Sequence, residues 1–94
     1  MNRAELLEKL RELKPWLEEQ GIVNPRLFGS FARDEAHEGS DVDLLVELSK
    51  PLGLEYFGVM LDLGDRLGRR VEFATEKAMN PLLRQRIVPS AIPV

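Results

Sequence analysis

Two apolar runs stand close together in this chain, and the short stretch between them limits how they can pair. The first closes with Arg26-Leu27-Phe28. The second, from Val42 to Leu48, sets Val42, Leu44, Val46 and Leu48 on one face and Asp43, Leu45 and Glu47 on the other. Both read as strands. The interval opens Gly29-Ser30-Phe31-Ala32-Arg33 and closes Gly39-Ser40-Asp41. It has room for a short helix over 30–36 and a polar turn over 37–40, but not for a full crossover helix. The two strands are therefore expected to run antiparallel.

The rest of the chain alternates helices with one further strand. Leu6, Leu10, Leu13 and Leu17 recur at helical spacing, with Glu5, Glu8, Lys9, Arg11 and Glu12 on the outer face. Asn2 and Glu5 form a capping-box pattern, so a helix is expected over 3–13. Pro15 should kink it or begin a second short helix over 15–20, and Gly21 should end it. Another helical pattern runs over 54–67 and closes at Gly68. Val71 to Ala74 reads as a third strand. A last helix is expected over 80–87, with Asn80 as N-cap and Pro81 at its first position. The order α-β-α-β-α-β-α predicts an α/β fold: a small mixed sheet with flanking helices, in a single domain over 1–94. The tail from Ile87 to Val94 is apolar but broken by Pro89 and Pro93. It reads as an irregular segment that docks on a partner or a second copy, so the chain should not be stable in use as a lone monomer.

Chemistry concentrates around the interval. Asp41 and Asp43 are two apart, so on a strand they share a face. Like charges held so close are reconciled by a divalent cation between them. The Gly29-Ser30 turn, at a helix start, offers backbone N–H groups to an anion. A cation clamp beside an anion cradle suits a nucleoside triphosphate. Composition removes other classes. There are no cysteines, which excludes disulfides and thiolate zinc sites and fits a cytoplasmic protein. A net charge of −3 argues against direct nucleic-acid coating. No apolar run is long enough for a membrane span, and the start, with Glu5 and Glu8, lacks the apolar centre of a signal peptide. No Walker or dinucleotide-binding glycine motif is present.

Gly29-Ser30-x-Ala32-Arg33, six intervening residues, then Ser40-Asp41-x-Asp43-Leu44 resembles the signature of the DNA polymerase β-like nucleotidyltransferase superfamily, in its minimal antitoxin-type branch. Weaker similarity continues through Leu67 to Phe73 and Asn80 to Ile87. The resemblance implies a minimal nucleotidyltransferase core that moves AMP, or another NMP, from an NTP to a hydroxyl. It makes Asp41 and Asp43 ligands of two Mg²⁺ ions, with ATP as substrate. A third carboxylate belongs on a neighbouring strand, and Glu72 is offered there where the family usually has Asp. Its implied role is general base or support for the second ion.

Gly29, Ser30, Arg33 and Ser40 fall on nucleotide-binding positions. Plain structural readings stand beside these roles: Ser30 as a helix cap, Arg33 paired with Asp34, Glu35 or Glu38, Ser40 as a loop-fixing hydrogen bond, and His37 as a loop residue. Arg69, Arg70, Arg84 and Arg86 read as a solvated basic face or as contacts to phosphates or an acidic partner. The chain has no room for a substrate domain, so part of the site should come from a partner or a homo-oligomer. In this branch the partner is a helical HEPN-class protein encoded alongside, a toxin whose tyrosine is adenylylated. The alternative is a catalytically weak antitoxin that neutralises its partner by contact.

Overall fold

The computed structural model describes residues 1–94. Its elements are α1 (Arg3–Glu19), β1 (Ile22–Phe28), α2 (Gly29–Ala32), β2 (Val42–Leu48), α3 (Glu55–Leu67), β3 (Val71–Ala74) and α4 (Pro81–Ile87), then a short 3-10 turn and β4 (Ile92–Pro93). The sheet order is β3-β2-β1-β4. β1 pairs antiparallel with β2, as the short interval requires, and β2 pairs parallel with β3 across α3. The sheet is therefore mixed.

One face of the sheet is the core. Val42, Leu44 and Val46 of β2 meet Leu6, Leu10 and Leu17 of α1, Val59 and Leu63 of α3, and Leu27, Phe31 and Val71, all buried. The carboxylate face of β2 is not uniformly open, because Leu45 on it is also fully buried.

Four local outcomes differ from the sequence reading. α1 runs on through Pro15 to Glu19. The proline removes one N–H from the ladder, but it lies on the exposed face, while Leu10 and Leu17 pin the helix on both sides of it. β1 starts at Ile22, upstream of Pro25. Asn24 takes a positive φ of 49°, and the register slips between Val23 and Arg26, so a bulge absorbs the proline.

α2 stops at Ala32 rather than 36. Asp34 adopts φ 60°, its N–H donates to the Phe31 carbonyl, and the Glu35 N–H donates to that of Ser30 at 2.8 Å. This is a Schellman stop built on Asp instead of Gly. Finally, the tail forms β4 on the free edge of β1. Leu27 pairs with Ile92, and the Val94 N–H donates to the Pro25 carbonyl at 3.0 Å.

Candidate active site

Sheet register builds the site. Phe28, Asp43 and Glu72 lie in one row across β1, β2 and β3. Residues directly opposite in a sheet share a face, so the carboxylates of Asp43 and Glu72 are near neighbours. The next pair along the same face is Asp41 and Arg70. Just inside it, the Val42 N–H donates to the Arg70 carbonyl at 2.9 Å, and Val42 pairs with Val71. Asp41, Asp43 and Glu72 thus all face one way, with Asp41 and Asp43 partly buried and Glu72 exposed.

The conformation of Gly29 is dictated by this row. Its φ is +78°, and a Cβ added there would collide with Asp43 Oδ2 and come within 3.1 Å of Asp43 Cγ. A side chain there would be strained in its backbone and would have to displace the carboxylate. The chain crosses from β1 into α2 directly against Asp43, so the turn and the dyad form one constellation. Ser30 lies within the first turn of α2, and the capping position is Phe28, which makes no side-chain cap. Ser30 is therefore not the helix cap.

Electrostatics mark Asp43. Burial first, then the charges of Asp41 and Glu72, push its carboxyl above the ordinary value of 3.8, with Arg33 working in the opposite direction. Arg33 makes no ion pair with Asp43. Its Nε donates to Glu35 Oε2 at 3.1 Å on the surface, one of the structural pairings the sequence allowed. Ser40 fixes the loop, its Oγ accepting from the His37 N–H at 2.9 Å.

The sequence left Arg69 and Arg70 open between a solvated face and contacts to phosphates or an acidic partner, and the structure sets both beside the dyad. Arg69 Nη1 donates to the carbonyls of His37, Glu38 and Ser40 at 3.2–3.4 Å, and its guanidinium stacks over Phe31 at 5.0 Å. It staples the loop that delivers the dyad. Arg70 grips Asp41 with a bidentate fork, Nε to Oδ1 at 3.0 Å and Nη2 to Oδ2 at 3.1 Å. That contact raises the pKa of Arg70 further. The available signal was a pair of arginines immediately before a strand parallel to the Asp strand, although the register that brings them opposite is tertiary.

Two open clefts flank the dyad. One, of about 760 Å³, is lined by Ser40, Asp41, Arg69 and Arg70. The other, of about 540 Å³, is lined by Gly29, Arg33, Leu83 and Arg86. The dyad presents only carboxylate oxygens, and their mutual repulsion at Asp43 is what a hard divalent cation relieves, so the donor set fits such an ion. The three carboxylates do not, however, converge into a ligand cluster. Both Asp41 oxygens are taken by Arg70 instead.

The model of the nucleotidyltransferase domain family matches residues 3–94. Two Methanocaldococcus jannaschii proteins named as protein adenylyltransferases are similar to the chain. One is 35% identical over 89% of this chain and 91% of its own length. The other is 37% identical over 89% of each. A solved structure named as a minimal nucleotidyltransferase superposes with a TM-score of 0.86 at 35% identity, covering 100% of this chain and 97% of that one. A toxin–antitoxin crystal structure with AMP-PNP shares the fold at a TM-score of 0.68 and 21% identity, covering 99% of this chain and 72% of that one.

Proposed function

The chain belongs to the nucleotidyltransferase domain family, and on that premise we propose that it transfers AMP from ATP to a tyrosine hydroxyl of a helical HEPN-class toxin encoded beside it, silencing that toxin. The observation that carries the reading is the Asp43 carboxylate, set against a glycine at positive φ where a Cβ would collide with it, and in one row with Glu72.

In this reading Gly29 and Ser30 border the triphosphate, with Arg33 and Ser40 at its edges. Asp41 and Asp43 would hold two Mg²⁺ ions. Bound there, the metal would offset the triphosphate charge and polarise the α-phosphate. The acceptor oxygen attacks the α-phosphorus, the bond to the bridging oxygen of the β-phosphate breaks, and pyrophosphate leaves. Glu72 takes the hydroxyl proton. Its exposure suits that role, because an acceptor carried on another protein must reach it from outside.

Support for a protein partner comes from the toxin–antitoxin neighbour and from the surface. Leu54, Phe57 and Leu61 on α3 and Leu82 and Leu83 on α4 are exposed apolar residues that a partner could cover. No helix is long and apolar enough to cross a bilayer.

Intact mass spectrometry of the toxin, after incubation with this protein, ATP and Mg²⁺, is the direct test. One or more AMP increments are expected, and none with Asp43→Asn. A second reading, neutralisation by contact alone, is favoured by two observations: Asp41 is occupied by Arg70, and the carboxylates do not converge. It requires a toxin inhibited without ATP and without a mass change.

A further inference from the structure

Arg70 is the one side chain that ion-pairs with the carboxylate row. Its fork occupies both oxygens of Asp41, which is as complete a match as one protein cation can make to a carboxylate. Yet the Arg70 side chain is 75% exposed, against 30% for Asp41. Exposed pairs of this kind are weak, and the long side chain keeps its freedom to swing.

The backbone beneath it has no such freedom. The Arg70 carbonyl accepts from Val42, Val71 is paired in the sheet, and Arg69 is tied to three carbonyls of the preceding loop. A rigid anchor therefore carries a mobile cation at the mouth of the cleft.

The charge count gives this arm its role. Asp41, Asp43 and Glu72 place three negative groups on one face. Arg70 offsets one of them, while Arg33 is turned to Glu35. A divalent cation on the dyad would draw on the same Asp41 oxygens that Arg70 holds, so the two cations compete for that carboxylate. The guanidinium geometry that fits a carboxylate also fits a phosphate.

We propose that Arg70 is a displaceable counter-ion. It holds Asp41 in the metal-free protein, yields that carboxylate to the divalent cation, and then turns its freed fork to the phosphates that arrive with the metal. The proposal rests on the nucleotidyl-transfer reading and adds to it a residue that couples metal loading to nucleotide capture.

The test is a pair of titrations on the full chain, with wild type, Arg70→Gln and Arg70→Lys. Mn²⁺ alone is titrated first, followed by calorimetry, and AMP-PNP is then titrated in saturating Mg²⁺. Loss of the competing cation should tighten Mn²⁺ binding about tenfold in Arg70→Gln, and loss of the phosphate contact should weaken AMP-PNP binding about tenfold. Arg70→Lys should fall between, since it keeps the charge without the fork.

These opposite signs in one variant separate the proposal from a merely structural role, which would weaken both affinities together as thermal stability fell. Either that pattern or an unchanged Mn²⁺ affinity overturns the counter-ion. In both cases nucleotidyl transfer stands if the wild type binds AMP-PNP. A wild type that binds neither Mn²⁺ nor AMP-PNP overturns both.

Discussion

Asp43 carries more constraint than any other residue of the site. It sits opposite Phe28 and Glu72, presses on Gly29, and has its carboxyl pushed upward by burial and by two neighbouring carboxylates. The consequence for stability has a definite sign. With the folded value raised above 3.8, the folded state binds the extra proton in the window just above 3.8. This contribution is fully present below that value and is lost as pH rises through the folded pKa. In metal-free buffer, Asp43→Asn should therefore melt higher than wild type near neutral pH, and the advantage should vanish on acidification below 3.8. Thermal unfolding across pH with a chelator present checks it, and a constant difference at all pH values would contradict it.

Glu72 shares the row but is exposed. In the proposed mechanism its substitutions act on chemistry. Glu72→Gln should cost on the order of 10²–10⁴-fold in transfer rate, the usual worth of a positioned general base, while AMP-PNP binding persists. Glu72→Asp should retain or improve the rate. Single-turnover transfer assays beside calorimetry would show this, and equal inhibition of the toxin by all three proteins without ATP would support contact neutralisation.

At the scale of elements, side chains outside the site set its geometry. The packing of α3 onto the start of β3 depends on Gly64, where a Cβ would lie 2.9 Å from the Arg69 carbonyl. That close approach sets where Arg69 and Arg70 leave the helix, and hence where they meet the loop and Asp41. α1 shows the opposite balance, in which packing holds a helix through a residue that its local chemistry disfavours. Leu6, Leu10 and Leu17 are fully buried, and Arg66 lies over the Trp16 ring at 4.1 Å. Pro15 interrupts the ladder on the exposed side without ending it. Pro15→Ala should therefore restore an N–H bond and stabilise the protein by about 1–2 kcal/mol, within the cost of a helix proline. At about 4–8 °C per kcal/mol for a domain of this size, circular dichroism melts would resolve the rise. An unchanged or lower midpoint would mean that the helix is bent around the proline to its advantage.

Over the whole molecule, the tail joins distant parts of the chain. β4 adds to the free edge of β1, and Lys14 Nζ of α1 donates to the Val94 carbonyl at 3.1 Å. Part of the segment expected to dock on a partner, Ile92–Pro93, is paired in the sheet. Ile92→Asp, placing a charge against Leu27 in that pairing, should lower stability by about 1–3 kcal/mol, visible as a lower urea midpoint. Preserved stability would mean that the tail is dispensable to the sheet.

What the sequence determined by itself was whatever local spacing controls. Examples are the 42–48 strand from its alternation, the Asn2–Glu5 capping box, and the antiparallel turn around Gly29, forced by a short interval. Asp41 and Asp43 on one face followed from a period of two. Tertiary structure alone decided the rest. Pairing β3 beside β2 put Glu72 against Asp43 and Arg70 onto Asp41, and pairing β4 beside β1 turned an apolar tail into a strand. Periodicity says which way a side chain points along its own element. Only the pairing of elements distant in sequence says which charge it will face.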